Sequence, residues 1–220
     1  MLQFQTQLEF SIFCVSTLLT LVNPIGISTV FLALTERFDP AQRKSIASKG
    51  CVAACIALIV CALIGSYIFK FFAITLDAFR IMGGILFFRS GLKMIEANVS
   101  RTRSTPKEQE EGLLHDDIAV SPIGIPLIAG PGAITASMVL SGQSLGVVHY
   151  GILLLSIVFV MILTYFILSG ANSLAKRLGA TGTRIIQRIM GLILLVIATQ
   201  FVINGVTPVL EGILRSSGVK

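Results

Sequence analysis

Charge is what this chain has little of. Only 13% of its 220 residues are charged and 54% are hydrophobic, with a mean hydropathy of +0.88. One soluble core cannot bury that much apolar surface, so an ordinary water-soluble domain is excluded and an integral membrane protein is predicted. No charged residue falls in 10–35, 50–69, 118–175 or 189–210. The helix interiors therefore lack Asp, Glu and Lys, the usual proton relays of pumps.

Other scarcities exclude further classes. The four cysteines, Cys14, Cys51, Cys55 and Cys61, all lie in the first half. A membrane thiol–disulfide relay needs reactive thiols on facing helices, so these read as small buried apolar residues. No metal-ligand spacing, charged cluster or nucleophile–base pair marks the apolar segments, which speaks against an enzyme and leaves no cofactor to expect. The first residues carry Glu9 and no basic stretch, so no cleavable signal peptide is expected. The net charge of +6 does not imply nucleic-acid binding, because the basic residues flank apolar segments and mark topology and lipid headgroup contact.

What is present is a set of apolar segments of membrane-spanning length. About 20 apolar residues cover ~30 Å of hydrocarbon at ~1.5 Å per residue. The spacing predicts six helices near 9–35, 47–69, 77–96, 118–141, 147–172 and 186–209. The third is the weakest, with Arg89 and Lys93 toward one end. Arg89 shares a face with Lys93 and Glu96, and reads as a side chain snorkelling to the headgroups. With both termini outside, Arg37, Arg43, Lys44, Lys49, Arg89, Lys93, Arg101, Arg103, Lys107, Lys176, Arg177, Arg184 and Arg188 fall on the inner side. Lys70, Arg80, Arg215 and Lys220 then lie outside, a 13 to 4 split that favours this orientation.

The chain also repeats itself. Asn23-Pro24-Ile25-Gly26 returns as Ser121-Pro122-Ile123-Gly124, and Arg80-Ile81-Met82-Gly83 as Arg188-Ile189-Met190-Gly191. Three helices per half is an odd number, so the second half enters from the opposite face: two inverted three-helix repeats, residues 1–96 and 118–220, joined by a polar cytoplasmic linker at 97–117. The fold expected is all-α and membrane-integral, with helices 1 and 4 broken.

Proline lacks the N–H that serves the carbonyl four residues back. Pro24 removes the partner of the Thr20 carbonyl, and Pro122, Pro126 and Pro131 remove those of Ile118, Pro122 and Leu127. Asn23-Pro24 and Ser121-Pro122, and more weakly Gly130-Pro131, have the residue types of an N-cap followed by a first helical residue. Half-helices starting there offer free N–H groups and a partial positive charge suited to a carboxylate. The amides of Ile25, Gly26, Ile123, Gly124, Gly132 and Ala133 are the candidate donors. The opposite half-helix ends present carbonyls suited to an ammonium group. Asn23, Pro24, Gly26, Ser121, Pro122, Gly124, Gly130, Pro131, Gly132 and Thr135 form the candidate substrate site, with Pro122, Pro126 and Gly130-Pro131-Gly132 favoured for the carboxylate. A coupling ion, whose identity is open, would rest on carbonyls, on Thr20, Thr29 or Thr135, or on Gln200 or Asn204. His149 reads as an interfacial side chain.

At these motifs the sequence resembles the MarC family (UPF0056), multi-pass inner-membrane proteins within the LysE-type transporter superfamily. The resemblance runs through 23–26 and 30–35, 79–86, the stretch from Pro122 to Ile134, 188–194, and Gln200-Phe201-Val202-Ile203-Asn204-Gly205. It implies two inverted three-helix repeats in a bacterial inner membrane, and a secondary transporter holding a small neutral amino acid such as glycine or alanine at the broken first and fourth helices. Thr29 stands where the family pattern commonly has a second proline, which makes the first break the milder one. The rival reading is a passive channel or small-solute facilitator, or an exporter of other small metabolites. The partners implied are a small-molecule substrate and membrane lipid, with a homo-oligomer left open.

Overall fold

The computed structural model describes residues 6–96, 118–144 and 146–216, in eight helical segments. The linker at 97–117, with Arg101, Arg103 and Lys107, lies outside the described residues, as does Lys220.

Helix α1, Gln7–Val22, starts at Thr6, whose hydroxyl accepts from the Glu9 amide at 3.2 Å. It ends at Asn23 and α2, Pro24–Leu34, follows at once. Asp39 starts α3, Pro40–Phe71, its carboxylate accepting the Ala41 and Gln42 amides at 2.8 Å each. Arg43 then reaches back from α3 to the carbonyls of Thr35 and Glu36, both at 2.9 Å, and fixes the turn after α2. Helix α4, Leu76–Ile95, is capped by Thr75. The second half holds an irregular wide-turned segment α5, Ala119–Ile128, then α6, Pro131–Gly142, α7, Val147–Ser169, and α8, Ala171–Ser216, which breaks at Gly179 (φ 61°).

Four of these stretches are long and apolar enough to cross a membrane: Gln7–Leu34, Pro40–Gly65, Val147–Ser169 and Thr181–Leu214. The bent pair α5 and α6 makes a fifth if counted as one span. Six are expected from the sequence. Helix α4 falls outside the set because its 20 residues carry Asp77, Arg80, Arg89 and Lys93.

The core lies where the two halves meet. Phe201 of α8 stacks on Phe13 of α1 (centroids 6.1 Å apart) and meets Phe87 of α4 edge-on (5.1 Å), tying three helices together. Phe10, Leu18, Phe31, Leu140 and Leu153 are fully enclosed around them. Leu8, Leu155, Phe166 and Val196 stand exposed, as lipid-facing side chains do. Cys14 and Cys51 are buried and Cys55 and Cys61 half-buried, in keeping with packing residues.

Helices α4 and α8 form the tightest pair, antiparallel, through small residues. A Cβ at Gly84 would lie 2.8 Å from the Ala198 carbonyl, and one at Gly205 would lie 2.7 Å from that of Asp77. Farther along the seam Gly91 and Gly191 meet reciprocally: a Cβ on Gly91 would lie 3.0 Å from the Gly191 carbonyl oxygen, and one on Gly191 2.9 Å from that of Gly91. Elsewhere α3 packs on α5, α6 and α7, while α7 packs on α1 and α2. Helix α4 touches α6, and α8 touches α1 and α2.

Candidate functional site

The two breaks differ in construction. At the first, Asn23 adopts a left-handed conformation (φ 50°, ψ 62°) that few residues other than glycine, asparagine and aspartate take readily. Its N–H donates to the Leu19 carbonyl at 2.9 Å and closes α1. Its Oδ1 accepts from the Gly26 amide at 3.1 Å, and its carbonyl takes the Ile27 amide at 3.0 Å, opening α2. One residue thus ends one helix and starts the next. The stretch Gln7–Leu34 stays a single 28-residue span.

At the second break the chain does more. The Ser121–Pro122 and Ile125–Pro126 peptides are cis, and Ser121 (φ −131°, ψ 126°) and Ile125 (φ −132°, ψ 123°) are extended. The Ile123 amide bonds the Ile118 carbonyl at 3.3 Å and the Ala129 amide bonds that of Gly124 at 2.9 Å, five residues back in each case. The chain then restarts as α6, bent by 63° from α5.

These details correct three sequence expectations. Ser121-Pro122 does not begin a half-helix, because Pro126 lacks the N–H that a helix starting there would need and its ring crowds the Pro122 carbonyl. The restart is deferred to Gly130-Pro131, with Pro131 as the first helical residue. The Ile118 carbonyl is not left without a donor, since the wider turn hands it the Ile123 amide. Two candidate donors, the amides of Gly26 and Ile123, are consumed inside the protein. The amides of Ile25, Gly132 and Ala133 remain in the positions that a helix start leaves without an intrahelical acceptor.

The fold brings the two breaks side by side. Helix α1 packs on α6 and α2 meets α5, so the first half-helix of each broken span lies against the second half-helix of the other. Leu21, two residues before Asn23, lies over Gly132: a Cβ there would come within 3.0 Å of Leu21 Cδ2. Asn23, Pro24, Gly26 and Thr135 are buried in this region, Gly130 and Gly132 are half-buried, and Pro131 is exposed. Thr135 turns its methyl toward Gly83 of α4, 3.1 Å from where a Cβ would sit. Pro122 is buried and Ser121 exposed. Gly124 is spent on packing, because a Cβ there would meet the Gly50 carbonyl of α3 at 3.0 Å.

Polar side chains among the candidates have local ties. Thr20 donates to the Ser16 carbonyl at 2.7 Å and the exposed Thr29 to that of Gly26 at 3.0 Å. Gln200 Nε2 donates to Asn204 Oδ1 at 2.9 Å. His149 is half-buried with its ring edge-on to Phe10, 4.9 Å between centroids. Arg89 is exposed.

Two residues outside the predicted set stand out. Thr17, one turn before Leu21 on α1, is fully buried with its hydroxyl unpartnered. Nothing in the sequence separates it from any threonine in an apolar helix. Arg80, read from the sequence as an outer topology residue, is only 7% exposed and pairs with Asp77 at 2.7 Å. The signal for it was available: Asp77 stands three residues before Arg80, where Ile185 stands before the exposed Arg188.

A family profile described as MarC family integral membrane protein matches residues 8–210. A UPF0056 membrane protein of Methanocaldococcus jannaschii is 39% identical over 203 residues, 90% of this chain and 97% of its own length. One from Bacillus subtilis is 36% identical across 96% of this chain and 99% of its own. One from Escherichia coli is 30% identical across 90% and 92%. No solved structure matches the chain.

Proposed function

We propose that this chain, which belongs to the MarC family of integral membrane proteins, is a secondary transporter of small neutral amino acids, working by alternating access at the crossing of its two broken helices. The observation that carries this is the pairing of the breaks: the end of α1 lies against the start of α6 and α2 meets α5, and free backbone amides at membrane depth persist only if they serve a ligand, water or a packed neighbour. The Gly132 and Ala133 amides at the start of α6 take the carboxylate in this reading, with Ile25 opposite. Gly132, without a side chain, lets a ligand of glycine or alanine size approach the backbone.

The packing supports two inverted repeats. Exchanging the halves turns the contacts of α3 with α5 and α6 into those of α7 with α1 and α2, and that of α4 with α6 into that of α8 with α2. The antiparallel α4–α8 pair would lie on the pseudo-two-fold axis. Helix α4 then counts as a sixth crossing, with both termini on the outer face of a bacterial inner membrane. Its charged ends would reach the headgroups, and Arg80 would remain inside, paired.

Purified protein in liposomes should take up or exchange radiolabelled glycine or alanine, and P24A and P131A should abolish it. Saturable counterflow marks a carrier, and unitary conductance without counterflow marks a channel instead. If no amino acid binds or moves, the reading fails.

A further inference from the structure

Arg80 is a buried guanidinium in an apolar bundle with its hydrogen bonds incomplete. Nη1 pairs with Asp77 Oδ1 at 2.7 Å, while Nε is enclosed with no partner. Ionisable groups at such positions are costly and mark functional sites by default. An unmet charged donor is the more costly part, since burial strips its water and nothing replaces it.

The neighbourhood supplies a complement. Gly83, one turn along α4, abuts Thr135 and Val139 of α6 and Phe201 of α8, and Gly142 of α6 abuts Leu76. In this antiparallel register Arg80 faces the last two turns of α6 and the level of Asn204 on α8. Gln143 ends α6 at the same junction, and its Oε1 is also buried without a partner. An orphan cationic donor in the first turns of α4 and an orphan acceptor at the end of α6 therefore lie where these two helices meet, Arg80 one turn from the Gly83–Thr135 contact and Gln143 next to the Gly142–Leu76 contact. An α-amino acid presents the matching pair, a carboxylate and an ammonium.

The repeat provides an internal contrast. Arg188 occupies the same place in the second Arg-Ile-Met-Gly motif and is exposed. The motif as such does not require a buried arginine.

We propose that Arg80 and Gln143 form a second binding site for an α-amino acid at the N-terminal end of α4, beside the helix crossing. Arg80 Nε–H donates to the carboxylate and the Gln143 carbonyl accepts from the ammonium. The site is an antechamber to the crossing, and its ligand class rests on the transport reading above.

The test uses the full chain in detergent, with glycine, acetate and methylammonium as probes in calorimetric and thermal-shift titrations. R80Q and R80K should each weaken glycine and acetate about tenfold or more, the scale of one charge-assisted hydrogen bond. Lysine keeps a cation for Asp77 but has no Nε–H, so R80K serves where R80Q does not fold. Q143L should weaken glycine and leave acetate unchanged. R188Q should change neither. Wild-type affinity in folded R80Q or R80K overturns the proposal, as does a wild-type protein that binds neither glycine nor acetate. Liposome uptake separates the two readings. Binding lost in R80K while the wild type transports nothing keeps the site and removes the transporter. Uptake and binding both untouched in R80K keep the transporter and remove the site.

Discussion

Asn23 carries two helix ends on one residue, and each of its roles can be removed separately. Alanine loses the side-chain bond to the Gly26 amide and also resists the left-handed conformation, so N23A should cost about 1–2 kcal/mol. Glycine loses only the side chain and should cost a few tenths of that. Thermal unfolding in detergent checks the order, and equal loss in the two variants would mean that the cap does not hold the joint. This joint was legible in the sequence, since the cap, the proline and the absence of a further proline all sit in adjacent residues. The second break was only half legible. Three prolines in ten residues announced a disruption, but where the helix resumes depends on Pro126 vetoing a start at Pro122. Charge counting could give Arg80 only a side of the membrane, whereas its burial depends on which neighbours α4 meets.

At the scale of elements, the seam between α4 and α8 is the most demanding contact in the protein. A methyl at Gly205 would come 2.7 Å from both the Asp77 carbonyl oxygen and Ile81 Cγ1, and backbone cannot step aside. G205A should therefore lose about 1–3 kcal/mol. Gly151 on α7 has nothing within 4 Å of such a methyl, so G151A should leave stability unchanged or raise it slightly. Comparing the two melting temperatures checks this, and a harmless G205A would show that the helices separate easily. The seam explains why α4 is hard to recognise by hydropathy. Its place is held by glycines against a partner helix, and four charges in 20 residues mask the apolar run.

For the whole molecule, the decisive property is the sidedness of its loops. In a variant with Cys14, Cys51, Cys55 and Cys61 replaced, single cysteines at the exposed Lys44 and Lys176 should react with an impermeant thiol reagent only from the cytoplasmic side. A cysteine at the exposed Val147 should react only from outside. Labelling of Lys44 and Lys176 from opposite faces would end the inverted-repeat reading. The charge distribution is what predicts this orientation, because loop lysines and arginines record the side that retains them. It could not reveal which half-helices cross, since that depends on packing between segments a hundred residues apart.

The reciprocal meeting of Gly91 and Gly191 carries a mechanical consequence. Where the two helices touch carbonyl to glycine, backbone meets backbone, so neither can slide a residue along the other, a step of about 1.5 Å, without driving a Cβ toward a carbonyl. In the alternating-access reading proposed above, the α4–α8 pair would then be a keel: the motion that opens one mouth of the protein and shuts the other would pivot around it rather than run through it, leaving the bending to α1, α2, α5 and α6.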